Sequence, residues 1–174
     1  MFEAFTSLLE VKSYSNISVQ EIIDAANIGR STFYAHFETK DDLLRALCAE
    51  IFEHVFSDAP AKERTHDFSD GPRSLRAELT HILYHLRDSR RYVKSILTCE
   101  SGEVFMSAFR DSLKDVLARG LSSRPQQAPQ DYLLNHLLCD FAETVRWWMK
   151  NESYSPEEIS SFFFATAPFL DEKP

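Results

Sequence analysis

The sequence predicts an all-α protein of about nine helices, with a small N-terminal head and a larger C-terminal helical body. Apolar residues recur at helical spacing along most of the 174 residues, and no run alternates as a half-buried strand would. The chain holds only four glycines, and polar segments with Pro and Gly at residues 57–74 and 122–129 separate the periodic stretches. With 44% hydrophobic residues, the chain can build a substantial core.

An amphipathic helix is predicted directly after Ser18, because the apolar residues that follow recur at helical spacing. These residues are Val19, Ile22, Ile23 and Ala26. Ser18 with Glu21 three residues later has the order of a capping box. Asn27 and Gly29 then mark a tight break, because both residue types tolerate left-handed backbone angles.

A second short helix is predicted from Arg30 to His36, with Phe33 and Phe37 facing inward at i, i+4 spacing. The outward face is then small, hydroxylated or basic, and such groups reach phosphates and base edges. Its members are Arg30, Ser31, Thr32, Tyr34, Ala35 and His36. Thr39, before Lys40, predicts the N-cap of a longer supporting helix. Two short helices joined by a tight break indicate a helix-turn-helix.

This ordered set of motifs resembles the TetR family of transcriptional regulators. The resemblance runs from residue 2 to residue 47 and rests on AF..LL at residues 4–9, the Ser18 cap, STFYAHF and KDDLL. It implies a DNA-binding head at residues 1–48 and an effector-binding and dimerisation body at residues 49–174. The Lys/Arg-rich arm that the family usually carries before the first helix is either absent or outside this numbering.

Two positions depart from the family pattern. The family usually has Gly where Asn27 stands, and Ser or Thr where Gly29 stands. The helix predicted from Arg30 to His36, which is the recognition helix of the motif, therefore has a weaker N-cap here, which costs about a few tenths of a kcal/mol and leaves the fold intact.

The predicted DNA-binding residues divide into readers of bases and holders of the backbone. Arg30 and Ser31, with Ala35 as an apolar neighbour, are placed to meet base edges. The residues placed to hold phosphates are Thr32, Tyr34, His36 and Lys40, with Ser18 at the first motif helix. In a dimer, two such helices enter successive major grooves of a palindromic operator about 34–36 Å apart.

The body is predicted to contain at least five more helices. Their apolar stripes lie near residues 75–86, 92–97, 104–117, 130–150 and 159–170. Ser155, followed by Pro156 at the first helical position, predicts the start of the last one.

The last two helices carry more apolar surface than one small body can cover. Residues 130–150 are apolar nearly all round, and such a helix needs two partners. We therefore expect a homodimer through both helices, which resembles the paired C-terminal helices of TetR proteins. The predicted interface residues are Leu133, Leu137, Phe141, Trp148, Ile159, Phe162 and Phe163.

A small-molecule effector site is implied by the resemblance, between the middle helices of the body. The residues predicted to line this site are Tyr84, Tyr92, Phe105, Phe109 and Trp147. Aromatic residues at helical spacing are also typical of an ordinary core, so the alternative without a pocket stays open.

Other classes of site are not indicated. His81 and His85 share one helix face, but nothing adjacent offers clear third and fourth ligands, so we expect no metal site and no cofactor. The sequence shows no Gly-rich phosphate loop, no nucleophile elbow and no catalytic Cys/His arrangement, so we do not predict an enzyme. Three widely spaced cysteines, no signal peptide and no membrane-spanning run suit the cytoplasm.

Charge is the main difficulty for DNA binding. The formal net charge is −8, and residues 1–48 contain four Lys/Arg against seven Asp/Glu. Net charge does not exclude DNA binding, because binding depends on where the cations point rather than on their sum. We therefore predict a DNA-binding transcriptional regulator, and the resemblance implies a repressor controlled by a small-molecule effector. The alternative is a TetR-like co-regulator that acts through a protein partner without binding DNA itself. The acidic head favours that alternative, and the intact STFYAHF motif argues against it.

Overall fold

The computed structural model describes residues 1–56, 74–97, 102–122 and 128–170, and these residues form nine α-helices and no strand. The all-α prediction is therefore confirmed. The helices are α1 (Phe2–Val11), α2 (Val19–Ala26), α3 (Arg30–His36), α4 (Lys40–Phe56), α5 (Leu75–Asp88), α6 (Arg90–Leu97), α7 (Gly102–Ser122), α8 (Gln130–Lys150) and α9 (Pro156–Thr166). Short 3₁₀ turns lie at Tyr14–Asn16 and Pro168–Leu170. Most of the two predicted polar connections, and Cys99, lie outside the described residues.

Helix starts follow the predicted caps. The Ser18 hydroxyl accepts from the Glu21 N–H, and the Glu21 carboxylate accepts from the Ser18 N–H, so the predicted capping box is confirmed. Ser155 and Glu158 form a second capping box, with Pro156 opening α9. These caps satisfy backbone N–H groups that a helix start leaves without partners.

The described residues cluster into two compact units. The first comprises Met1–His54 and the described parts of Ser89–Ala108, and the second takes the described parts of Val55–Asp88 and Phe109–Pro174. This clustering groups α6 and the start of α7 with the head. The functional division after residue 48 stays a prediction.

In the first unit, α1 packs against α2 and α6. Its fully buried side chains include Phe5, Ile22, Phe33 and Leu43. The Ser95 hydroxyl of α6 donates to the Lys12 carbonyl oxygen, 2.9 Å away, just after the end of α1. Cys48 is buried in this core, and burial raises the pKa of its thiol to about 12, so it stays protonated and unreactive at neutral pH.

In the second unit, α9 packs against α5 and α8. Aromatic rings fill this interior: Phe141 contacts Phe163 edge to face at 5.0 Å, and Phe109 lies 6.1 Å from Phe141. The indole N–H of Trp148 donates to the Tyr154 carbonyl oxygen at 2.9 Å, so this buried ring leaves no N–H unsatisfied. Cys139, by contrast with the buried Cys48, is exposed on α8.

The break between α2 and α3 depends on one left-handed residue. Asn27 has φ 50° and ψ 48°, and its N–H bonds to the carbonyl oxygens of Ile23 and Asp24. Gly29 is extended instead, with φ −76° and ψ 151°, so the prediction that the break would use both residues' left-handed freedom applies to Asn27 only.

Asn27→Ala should therefore lower the free energy of unfolding by about 1 kcal/mol, because a Cβ-bearing residue without a carboxamide is strained in this region. Asn27→Gly, which carries no such strain, should lose little or nothing. Urea unfolding followed by circular dichroism measures both. Equal losses for the two variants would contradict this account of the turn.

Candidate DNA-binding site

The outward face of α3 is assembled as predicted from the spacing of its residues. Phe33 is fully buried, and its ring lies 6.0 Å from that of Phe37, so the opposite face of the helix points outward. All six residues predicted on that face are exposed, namely Arg30, Ser31, Thr32, Tyr34, Ala35 and His36. Tyr34 is 51% exposed, with its ring edge-on to Phe33. The structure therefore brings small, hydroxylated and basic groups together on one surface.

The start of α3 has no side-chain cap. Gly29 occupies the N-cap position, where its backbone carbonyl accepts from the N–H groups of Thr32 and Phe33 at 3.0 and 3.2 Å. The weaker cap predicted from the family comparison is thus present. The helix depends on packing rather than on capping.

Arg30 is held from the neighbouring helix. Its Nη2 donates to the Oε1 atom of Gln20 at 3.2 Å, and the Nε2 atom of Gln20 donates to Oδ1 of Asp24 at 2.8 Å. Sequence reasoning missed Gln20. The Gln20–Asp24 spacing of i, i+4 is a known pattern for a helix hydrogen bond, but nothing local indicates a contact ten residues away at Arg30.

Lys40 has a structural position that its sequence context did not indicate. Its ammonium donates to the carbonyl oxygens of Tyr14 and Ile17, at 2.8 and 2.6 Å, and lies 4.2 Å from the centre of the Tyr14 ring. The Tyr14 hydroxyl in turn donates to Asp41. The first residues of α4 therefore hold the turn that precedes α2. A phosphate contact for Lys40 stays a prediction, and it would have to share the ammonium with these carbonyls.

Lys12 and Ser18 are also occupied within the head. The Lys12 ammonium pairs with Glu21, and the Ser18 hydroxyl donates to the same carboxylate at 2.9 Å. Hydrogen bonds from Lys12 and Ser18 lower the pKa of Glu21 to about 2. Because the folded pKa is depressed, these contacts stabilise the folded head at pH values above the ordinary pKa, and that contribution is lost as the pH falls through about 2.

The predicted effector-pocket residues do not form one cluster within a single unit. Tyr92 and Phe105 belong to the first unit, and Tyr84, Phe109 and Trp147 to the second. Phe105 and Phe109 are buried, whereas Trp147 is 42% exposed and stacks on Tyr154, which is not the enclosed position of a pocket wall. Burial raises the pKa of Tyr92, and the hydrogen bond to Glu157 raises that of Tyr84. The effector site stays a prediction.

A groove of about 390 Å³ lies elsewhere, on the head. Residues of α1 and the end of α2 line it, together with Met1. It shares none of the five predicted pocket residues.

Most of the predicted dimer-interface residues lie inside one subunit. Leu137, Phe141, Trp148, Ile159 and Phe163 are buried in the core of the second unit, Leu133 is half-buried, and Phe162 is exposed. These five side chains already pack within one subunit, and their part in a dimer interface stays a prediction. A helix that is apolar on two sides does not reveal which side packs within the subunit.

His81 and His85 face each other, with their Nε2 atoms 3.0 Å apart. His85 is buried and His81 is half-buried. Within the described residues, no group of three or more His, Cys, Asp or Glu side chains is placed to hold a metal ion. Nor is any described helix long and apolar enough to cross a membrane.

Comparison with known families agrees with this arrangement. Residues 3–47 match the model described as bacterial regulatory proteins, tetR family, and residues 74–168 match the model described as transcriptional regulator C-terminal region. The second match alone covers more than half of the chain. The protein belongs to the TetR family of transcriptional regulators, whose members bind operator DNA and act as dimers.

Solved structures share the whole fold. The TetR transcriptional regulator from Streptococcus agalactiae 2603V matches with a TM-score of 0.74 and 32% identity, over 95% of this chain and 89% of that one. The dihydroxyacetone kinase operon activator DhaS matches with a TM-score of 0.65 and 18% identity, over 97% and 90% of the two chains, which shows the fold alone.

Two curated relatives match only in part. The dhaKLM operon transcriptional activator DhaS of Lactococcus lactis is 38% identical over 98 residues, which are 56% of this chain and 47% of the relative. The uncharacterised regulator YxbF of Bacillus subtilis is 38% identical over 58 residues, which are 30% of this chain and 15% of the relative. The matched part of this chain therefore spans less than half the length of each.

Lys40→Met should lower the free energy of unfolding by about 1–3 kcal/mol, because it leaves the Tyr14 and Ile17 carbonyls without this donor. Arg45→Met is the matched control, since the exposed Arg45–Asp42 ion pair on the same helix should contribute at most about 0.5 kcal/mol. Urea unfolding of both variants gives the comparison. Losses of the same size would show that Lys40 is not an anchor of the turn.

Proposed function

We propose that this DNA-binding regulator is a cytoplasmic homodimer that binds a palindromic operator through α3 and responds to a small-molecule effector. The observation that carries the proposal is the exposed face of α3, where Arg30 and three hydroxyl-bearing residues stand over the buried Phe33. Arg pairs in a bidentate manner with guanine O6 and N7, and hydroxyl groups bond to phosphate oxygens. Arg30 and Ser31 are therefore the proposed base readers, with Ala35 as their apolar neighbour.

Control by an effector would be geometric. Two recognition helices enter successive major grooves only when their spacing matches about one helical turn of DNA, roughly 34–36 Å. A ligand that binds better to a dimer with another spacing lowers the population that fits the operator. Repression follows when the operator overlaps a promoter.

Activation is the second possible outcome of operator binding. DhaS, to which part of this chain is similar, is named as a transcriptional activator. A reporter gene behind the operator separates the two: repression predicts higher expression when the regulator is deleted, and activation predicts lower expression.

A co-regulator that binds a protein partner is the alternative without DNA binding. The acidic head favours it, as do the protein contacts made by the ammonium groups of Lys12 and Lys40. Selection of bound duplexes from a random DNA library decides between the two classes, because a co-regulator of this kind would enrich no sequence.

The dimer surface is proposed to include the exposed aromatic cluster of Trp147, Tyr154 and Phe162. The Trp147 and Tyr154 rings stack at 5.5 Å, and Phe162 meets Tyr154 edge to face at 5.3 Å. Trp147 and Phe162 are both more than 40% exposed, so the cluster joins α8 and α9 in one uncovered aromatic surface. Apolar surface of this kind marks sites of protein association.

Phe162→Glu should dissociate the dimer, because it places a carboxylate in an apolar interface. Tyr34→Glu is the matched control, since it changes a similarly exposed aromatic residue of α3 and should leave the assembly intact. Sedimentation equilibrium should return twice the 20.1 kDa chain mass for the parent and the control, and the single mass for Phe162→Glu. A monomeric parent protein would refute the dimer.

Arg30→Ala should reduce the preference for the selected operator over random duplex by about 1–3 kcal/mol, while most non-specific affinity remains. Arg45→Ala removes another exposed arginine of the head and should leave the preference unchanged. Fluorescence anisotropy at fixed salt measures both affinities. If the Arg30→Ala protein kept its full preference for the operator, Arg30 would not be a residue that reads bases.

A further inference from the structure

We propose that Gln20 is a positioning residue for DNA reading: it fixes the guanidinium of Arg30 from the neighbouring helix. This inference rests on the proposed function of Arg30. The contact spans the turn of the motif, because Gln20 is the second residue of α2 and Arg30 the first residue of α3. The Gln20 Oε1 atom accepts from Nη2 of Arg30 at 3.2 Å.

Asp24 determines which way the Gln20 carboxamide faces. A carboxylate only accepts hydrogen bonds, so it takes the NH₂ group of the amide, which donates to Oδ1 of Asp24 at 2.8 Å. The opposite end of the amide, the acceptor oxygen, is thereby left for Arg30. The three side chains therefore form one chain of hydrogen bonds, in which Arg30 donates to Gln20 and Gln20 donates to Asp24.

Arg30 can serve Gln20 and a base at the same time. Its guanidinium carries five N–H donors in a planar fork, and the contact to Gln20 uses one of them. Guanine offers two acceptors in the major groove, O6 and N7, and pairing with both requires the fork to lie in the plane of the base. Arg30 is exposed and would otherwise sample many rotamers. Holding its guanidinium before DNA arrives lowers the ordering cost of that pairing.

Gln20 keeps the positive charge of Arg30 intact. A carboxylate at this position would form an ion pair with the guanidinium and would oppose its approach to DNA. The neutral amide orients the fork without neutralising it, and the negative charge of Asp24 stays one side chain further away.

The test compares Gln20→Ala, Arg30→Ala and the double variant on the selected operator and on duplexes with each base pair changed in turn. Gln20→Ala should reduce discrimination by about threefold to tenfold, and only at the base pair at which Arg30→Ala does so. In the Arg30→Ala background, Gln20→Ala should have no further effect. Gln20→Glu should weaken binding to operator and random duplex alike, because the new carboxylate adds a negative charge that the phosphates of any duplex repel.

Asn16→Ala is the matched control, an exposed carboxamide of the head whose amide donates to Ser13 instead of to Arg30. It should leave discrimination unchanged at every base pair. Thermal unfolding of each variant tests whether the head stays folded, and a structural role alone would not change preference at a single base pair.

Three results would overturn the inference. If Arg30→Ala loses discrimination and Gln20→Ala keeps it, Gln20 does not position Arg30, and the proposed function stands. If Gln20→Ala weakens binding to all duplexes equally, Gln20 contacts the DNA phosphate backbone itself and does not act through Arg30. If the parent protein selects no operator, or Arg30→Ala changes no base preference, the proposed role of Arg30 fails and this inference fails with it.

Discussion

The burial of Phe33 is the interaction on which the DNA-binding surface depends. The recognition helix has seven residues, and a helix this short is marginal in water without tertiary contacts. Gly29 offers no side-chain cap, so the helix is held by the burial of Phe33 in the head. The left-handed Asn27 sets the direction in which the chain leaves α2 and enters α3. Because side chains follow the helix period, burial of this one ring sets the direction of every residue on the opposite face.

Local signals account for what the sequence could predict. The capping boxes at Ser18 and Ser155, the break at Asn27 and the outward face of α3 each depend on residues fewer than eight positions apart, and each is present. The contacts of Lys40 could not be predicted in this way, because its acceptors lie 23 and 26 residues earlier. Gln20 was missed for the same reason, since only folding brings α2 and α3 together.

The second unit shows how composition can mislead. The aromatic surplus of α8 and α9 indicated a partner surface, yet rings such as Phe141 and Phe163 pack against each other within the subunit. The exposed cluster of Trp147, Tyr154 and Phe162 is smaller than the apolar partner surface that the sequence predicted for these two helices. Helical spacing identifies apolar faces, but which face meets another helix of the same chain is decided by tertiary packing. Interface residues are therefore better chosen by exposure than by apolar character.

The protein contacts of the head's lysines have a kinetic consequence. Lys12 and Lys40 direct their ammonium groups to Glu21 and to backbone carbonyls, in a chain whose net charge is already −8. Sequence-independent affinity for DNA comes almost entirely from cations that meet phosphates. We therefore expect brief non-specific encounters and little sliding, so that the search for an operator proceeds mainly by diffusion through solution. Such a regulator would leave bulk chromosomal DNA largely unoccupied, and its occupancy at the operator would follow changes in its own concentration with little buffering by the genome.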